Sequence, residues 1–343
     1  MHAIFARNNR KFKWSRTFAD ANELSTITAP IGLKSRLGCA VAKFKVRDWD
    51  RANFPALYRG ADDAAINAQN WYVLWVGINL GLLVLGASVG SIALTDVEHK
   101  RIVQIITAVC FFLALGASIF LASQRWDRTW YAGRAVAESV KSLAWKYVVG
   151  ANPFDVELPV ADVRATFLDA LKELVKENKH LAGPMAGKEL VGEQITNDMT
   201  DLRQSAVGVL RDIYLHQRIN DQQTWYASKA AQNKRYRNVW FFILASFQGA
   251  AGLSAILIAL WPDFPWRATA VFSTLASATV AWGQLRRYQE LAQAYALAAQ
   301  ELGFIAARAP DVQTREQLAR FVNDAETAIS REHSMWVARR ETK

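Results

Sequence analysis

The stretch Trp71-Tyr-Val-Leu-Trp75-Val-Gly77-Ile-Asn79-Leu-Gly81-Leu-Leu-Val-Leu-Gly86-Ala-Ser88-Val-Gly90-Ser-Ile-Ala-Leu94 decides the fold. Its 24 residues include no Asp, Glu, Lys or Arg. A helix crossing a hydrocarbon core of about 30 Å needs about 20 predominantly apolar residues, whereas a soluble helix of that length carries a charged outer face. Residues 102–124, 238–262 and 268–285 are uncharged in the same way, over 23, 25 and 18 residues. Three of the four runs exceed the required length and the last just meets it. They come in pairs, joined by the short polar links 95–101 and 263–267. The pattern predicts two transmembrane helical hairpins, four spans in all, in an all-α membrane protein.

Outside these runs the chain is a different material. The 343 residues have a mean hydropathy of +0.00, an average over 90 uncharged residues in the spans and a much more polar remainder. At 52% hydrophobic the chain is too apolar to be disordered, and its 18 glycines are far too few for a collagen-like repeat. Two cysteines, Cys39 and Cys110, build neither a disulfide framework nor a four-cysteine zinc site.

Charge orients the hairpins. The tips hold Lys100, Arg101 and Arg267 against Asp96, Glu98 and Asp263, so the whole net charge of +10 lies on the opposite face. Arg125, Arg128, Lys234, Arg235, Arg237, Arg286 and Arg287 sit at the membrane ends on that face, where they form a cytoplasmic mouth or meet lipid headgroups. Lys and Arg accumulate beside cytoplasmic ends. The expectation is a multi-pass protein of a bacterial inner membrane with both termini and the middle segment cytoplasmic. Trp71, Trp75, Trp126, Trp130, Trp240, Trp261, Trp266 and Trp282 fall at or near span ends, where an apolar ring with one N–H donor suits the headgroup zone. Trp145, Trp225 and Trp336 read as core aromatics. No apolar stretch of signal-peptide length precedes Trp71.

The expected organisation is a basic N-terminal tail or small layer (1–46), a first hairpin unit (47–155), a helical cytoplasmic connector (156–210) and a second hairpin unit with C-terminal helices (211–343). Gly150, Asn152 and Pro153 end a helix that starts at Trp126, and a further helix begins near Thr196. From Val209 to Gln248 there is neither Gly nor Pro, which predicts an unbroken helix into the third span. The fourth span is expected to continue past Leu285 into an Ala-rich helix stopped by Pro310. Thr314 and Gln317 form a capping box for a last helix carrying Leu318, Phe321, Val322, Ala325 and Ile329.

No catalytic constellation emerges, and the expectation is a protein that is not an enzyme and carries no cofactor. The loop Gly183-Pro-Met-Ala-Gly187-Lys188-Glu189 has three residues between its glycines where a phosphate loop needs four, and an acid where Mg²⁺ needs a hydroxyl. His2, His99, His180, His216 and His333 share no metal-ligand spacing. Glu138, one turn from both Arg134 and Lys141, reads as a surface ion pair. The basic residues follow topology, so nucleic acid is not expected as a partner.

The polar pattern inside the spans is more informative. Thr269, Ser273 and Ser277 recur every four residues, with Gln284 near the same face, and Gly77, Gly81 and Ser88 form a small-residue stripe, as do Gly86 and Gly90. Such residues either pack helices closely or line a pore in an oligomer. Asn79, Gln104 and Gln248 are poorly placed against lipid and should face protein or water.

The sequence Phe54-Pro-Ala-Leu-Tyr58-Arg-Gly-Ala61-Asp62 before the first hairpin, with Arg134-Ala-Val-Ala-Glu138-Ser-Val-Lys141 and Trp145 after it, resembles the SLATT family, the SMODS and SLOG-associating two-TM effector domains. Tyr214-Leu-His-Gln-Arg218-Ile-Asn-Asp221-Gln222 with Trp225-Tyr226 resembles a second unit of that family. The resemblance covers about residues 50–155 and 212–310. It implies a bacterial conflict effector, acting in antiviral defence by abortive infection: a homo-oligomeric membrane pore opened when a nucleotide-sensing partner signals. It supplies no catalytic residues. The alternative is a non-conducting membrane anchor or scaffold whose cytoplasmic helices recruit partners.

Overall fold

The computed structural model describes residues 49–92, 96–185, 191–261 and 268–341, the last eleven of these as backbone. The tail 1–46, Cys39, Trp266, the His333 and Trp336 side chains and the Gly187-Lys188-Glu189 part of the phosphate-loop-like segment lie outside this description. All regular structure among the described residues is helical. The first unit comprises α1 (Ala56–Gly90), α2 (Val97–Gln124) and α3 (Trp126–Val149). Then come α4 (Val160–Glu177), α5 (Asn197–Arg203) and α6 (Val207–Tyr214). A π-helical turn, Leu215–Asn220, leads into α7 (Asp221–Leu260). Finally, α8 (Thr269–Arg286), α9 (Tyr288–Ala306) and α10 (Arg315–Glu341) complete the chain.

One plan is used twice. A long helix, α1 or α7, packs against an apolar arm, α2 or α8, and then against that arm's continuation, α3 or α9. The expectation of one helix running past Leu285 is corrected. Arg287 adopts a left-handed conformation (φ 48°) and separates α8 from α9, as Arg125 (φ 48°) separates α2 from α3. Each break is followed at once by an aromatic residue, Trp126 or Tyr288. The third arm is continuous from Val207 to Leu260, with the π turn absorbed into it.

Three helical stretches are long and apolar enough to cross a membrane: Ala56–Gly90, Val97–Val149 and Val207–Leu260. The helix α8 is not among them, because its 18 residues include Thr269, Ser273, Thr274, Ser277, Thr279, Gln284 and Arg286. It packs against α7 and α1, so it is held between the two hairpins.

Beyond the apolar arms the helices form a charged layer with one hydrophobic core, continuous from Phe54 to Ile329 and drawn from both units. Trp145 lies at its centre, with ring centroids 5.3 Å from Trp49, 6.1 Å from Phe54 and 5.4 Å from Tyr214. Chain breaks are built from local chemistry. Gly150 ends α3 at φ +77°, where a side chain would collide with Val156. Thr196 Oγ1 caps α5 by accepting from the Met199 N–H at 3.2 Å. The capping box is present: Gln317 Oε1 accepts from the Thr314 N–H at 3.0 Å while the Gln317 N–H donates to Thr314 Oγ1 at 3.3 Å.

The helices α3 and α1 approach closely at Gly133, where a Cβ would stand 2.9 Å from the Ala61 carbonyl oxygen and 3.0 Å from Ala65 Cβ. Gly133→Val must therefore push α3 off α1, an overpacking cost of about 1–3 kcal/mol. A lowered thermal midpoint of the purified chain is the expected result; an unchanged midpoint would show that the helices separate freely.

Candidate functional site

Within the membrane arms, polar side chains divide into an inner and an outer set. Asn79 Nδ2 donates to Ser118 Oγ at 3.0 Å, joining α1 to α2, and Thr269 Oγ1 donates to Ser254 Oγ at 3.1 Å, joining α8 to α7. The second glycine stripe is a packing face: a Cβ on Gly86 would lie 3.1 Å from the Phe111 ring and one on Gly90 3.2 Å from Thr107. At Gly77 a Cβ would be 4.0 Å from Trp282, where α1 meets α8, whereas at Gly81 it would meet nothing within 4 Å. The outer set faces away from the protomer: Ser273, Ser277 and Gln284 on α8, Gln104 on α2 and Gln248 on α7 are all exposed. Ser277 Oγ also donates to the Ser273 carbonyl at 2.9 Å.

Aromatic pairs band the same arms. Trp71 stacks on Trp126 at 6.1 Å, Trp75 meets Phe120 edge-on at 4.7 Å, and Trp240 lies 6.2 Å from Trp282. Among the membrane-end cations, Arg125, Arg128, Lys234, Arg235 and Arg237 are exposed. Arg287 pairs with Glu290, and Arg286 lies over the rings of Trp282 and Tyr288 at 5.9 Å each.

Beneath the arms lies a buried charge network joining the two units. Glu326 on α10 and Arg218 on the π turn are each 1% exposed. Arg218 Nε and Nη2 donate to the two Glu326 oxygens at 2.9 and 2.8 Å, a bidentate fork. Ser142 Oγ and Tyr214 Oη complete the carboxylate's shell at 2.5 and 2.9 Å. Burial pushes the Glu326 carboxyl up, but Arg218, Ser142 and Tyr214 together hold it below its ordinary value. Burial likewise pulls the Arg218 guanidinium down, and the carboxylates Glu326 and Glu138 more than offset it.

The expected surface pair at Glu138 is corrected. Glu138 lies 3.6 Å from both Arg134 and Arg218, and Arg134 is 3.6 Å from the buried Asp62 on α1. The Arg134, Glu138 and Trp145 motif of the first unit and the Arg218 motif of the second therefore meet in one place. Asp221 opens α7, and Trp225 and Tyr226 cluster with Tyr295, at 5.3 and 5.5 Å. Sequence reasoning missed Glu326. Its one signal is that a carboxylate falls among Val322, Ala325 and Ile329 on the apolar face of the last helix.

No group of metal-ligating side chains occurs among the described residues. Fold and site together define a helical membrane protein of two hairpin units joined by a shared charged layer. The family comparison agrees on two units, and its matches extend beyond the resemblance read from the sequence, to 211 and to 336. Residues 55–211 match SMODS and SLOG-associating 2TM effector domain 3, and residues 214–336 match SMODS and SLOG-associating 2TM effector domain 1. The chain thus belongs to the SLATT family, with two units in tandem, and such effector domains are associated with conflict and defence systems. Comparison with curated proteins and with solved structures gives no significant match.

Proposed function

We propose that the chain is a pore-forming effector that depolarises a bacterial inner membrane when activated. Four spans cross the bilayer, α8 being the fourth, and the charged layer and both termini are cytoplasmic. The observation that carries this reading is the outward polar set. Ser273, Ser277 and Gln284 project from the protomer along one side of α8, and Gln248 projects near the middle of its span. Ser277 bonds back to its own helix, but hydrocarbon offers the Gln248 and Gln284 amides and the Ser273 hydroxyl no partner, so copies of the chain or a column of water must. An oligomer that turns α8 inward supplies both. The charged layer then holds the hairpins closed until a nucleotide-sensing partner acts, and loss of potential limits phage spread.

One observation favours a non-conducting anchor instead. The hydroxyls of Ser277, Thr274 and Thr279 are satisfied by their own helix, at 2.9, 2.8 and 2.8 Å, and so need no water. Controlled expression with membrane-potential dye, paired with dye release from liposomes carrying the purified chain, separates the two. Depolarisation and release are expected, with anion-favouring reversal potentials in asymmetric salt from Arg286 and Arg287 at the cytoplasmic mouth. Toxicity with an intact membrane potential would leave the anchor reading.

A further inference from the structure

The two units enclose a cavity of about 250 Å³ where α1, α3 and α7 meet the turn from α8 to α9. It lies at the level where α1 enters its uncharged run, with Val73 and Leu285 on the membrane side and Ser142 on the side of the charge network. Its walls carry the rings of Trp130, Trp225, Tyr236 and Tyr288. Four cations line it, Arg134, Lys229, Arg286 and Arg287, of which Lys229 on α7 and Arg286 at the end of α8 come from different helices.

Three observations point to an anion. First, Arg286 has no ion pair among the described residues; it lies over the faces of Trp282 and Tyr288, which leave the guanidinium edge available. Second, Lys229 and Arg286 repel one another: burial pulls the Lys229 ammonium below its ordinary value, and Arg286 adds to the effect. An anion between them would relieve that repulsion. Third, Gln222 lines the same cavity from the start of α7, which places its amide within reach of a ligand held there. Lys229 keeps contacts of its own, donating to Gln232 Oε1 at 3.1 Å and lying 6.0 Å from the Trp225 ring centroid, so an anion would add to them. The two remaining cations on the wall have carboxylate partners. Arg287 pairs with Glu290, and Arg134 and Glu138 pair with each other and with the buried network.

We propose that this cavity is a phosphate-binding site in which Lys229 and Arg286 hold the anion and Gln222 donates to it, with the ring-lined wall covering the apolar part of the ligand. Charge-assisted bonds from an ammonium and a guanidinium are the strongest available to a phosphate oxygen. The position at the membrane boundary admits either an anionic lipid headgroup from the bilayer or a soluble phosphate from the aqueous side. The site stands apart from whether the hairpins conduct.

The test uses the full chain in mild detergent, titrated separately with short-chain phosphatidylglycerol, with phosphatidylcholine of the same chain length, and with glycerol 3-phosphate. Bound species are counted by native mass spectrometry, and each titration is repeated as a thermal shift. One phosphatidylglycerol per chain is expected, held at least tenfold more tightly than phosphatidylcholine. Lys229→Gln and Arg286→Gln should each weaken it about tenfold, while Lys229→Arg, which keeps the charge, should retain it. Lys234→Gln removes a cation from the exposed side of the same helix, outside the cavity, and should change affinity less than twofold. The same variant pattern with glycerol 3-phosphate and no lipid adduct upholds the site with a soluble ligand. Equal binding of both lipids, or an equal loss in Lys234→Gln and Lys229→Gln, overturns it.

Discussion

Glu326→Leu is expected to destabilise the purified chain by about 3–5 kcal/mol, the usual cost of leaving one member of a buried ion pair behind. Arg218 would stay fully buried and cannot shed its proton. Glu138, at 3.6 Å, is a remaining but weaker partner and places the loss toward the lower end of that range. The reciprocal variant, Arg218→Met, should cost less, because a buried carboxyl can become neutral while Ser142 and Tyr214 still hydrogen-bond it. Its pH dependence provides a second readout. In the wild-type chain the Glu326 carboxyl is held below its ordinary value, so its contribution is complete above that value and is lost as pH falls through the lowered one. Without Arg218, burial raises the carboxyl. The contribution is then complete below the ordinary value and lost as pH rises through the raised one. Denaturant unfolding of the wild-type chain and of Arg218→Met between pH 3 and pH 8 should show opposite slopes, and Arg218→Met/Glu326→Leu together should recover most of the loss. A Glu326→Leu loss under 1 kcal/mol would mean that the pair does not lock the units together.

The second large effect concerns conduction. Ser273, Ser277 and Gln284 span twelve residues of α8, about 16 Å of helix axis and roughly half of the hydrocarbon thickness. Replacing all three with Leu turns the outward side of α8 apolar. A pore lined by that side would dewet and close, so dye release should fall at least tenfold while insertion and oligomer size stay unchanged. Thr269 is left in place because its bond to Ser254 fastens α8 to α7. Undiminished release from a correctly inserted triple variant would assign the lumen to another helix, with Gln104 on α2 and Gln248 on α7 as the next polar positions to exchange.

Much of this architecture was legible because it depends on features local in sequence. Uncharged length predicted the arms, tryptophan marked their ends, and Thr314 with Gln317 marked the start of the last helix. The break at Arg125 fell where a helix was expected to start at Trp126, but the one at Arg287 was not legible, since a left-handed arginine lacks the Gly or Pro that ordinarily signals a break. The charge network was hidden for a different reason. Glu326 and Arg218 stand 108 residues apart, and only the fold of α10 against α3 makes them neighbours. Glu138 looked like a surface residue because helical spacing shows its ion partners and says nothing of what covers them. For α8, eighteen uncharged residues sufficed by length, whereas their many hydroxyls make the helix far less apolar than its three companions.

The continuous core has a consequence for how such a chain can evolve. The two family matches meet between residues 211 and 214, which makes that junction look like a place where genes could be cut and exchanged. Yet Trp145, Tyr214 and Phe321 pack in sequence, each ring against the next, across that boundary. A recombinant that swapped one half for a cousin's would inherit mismatched rings and an orphaned carboxylate. The shared core therefore ties the two halves of this chain into one inherited unit, in which an exchange of either half must bring matching rings and charges with it.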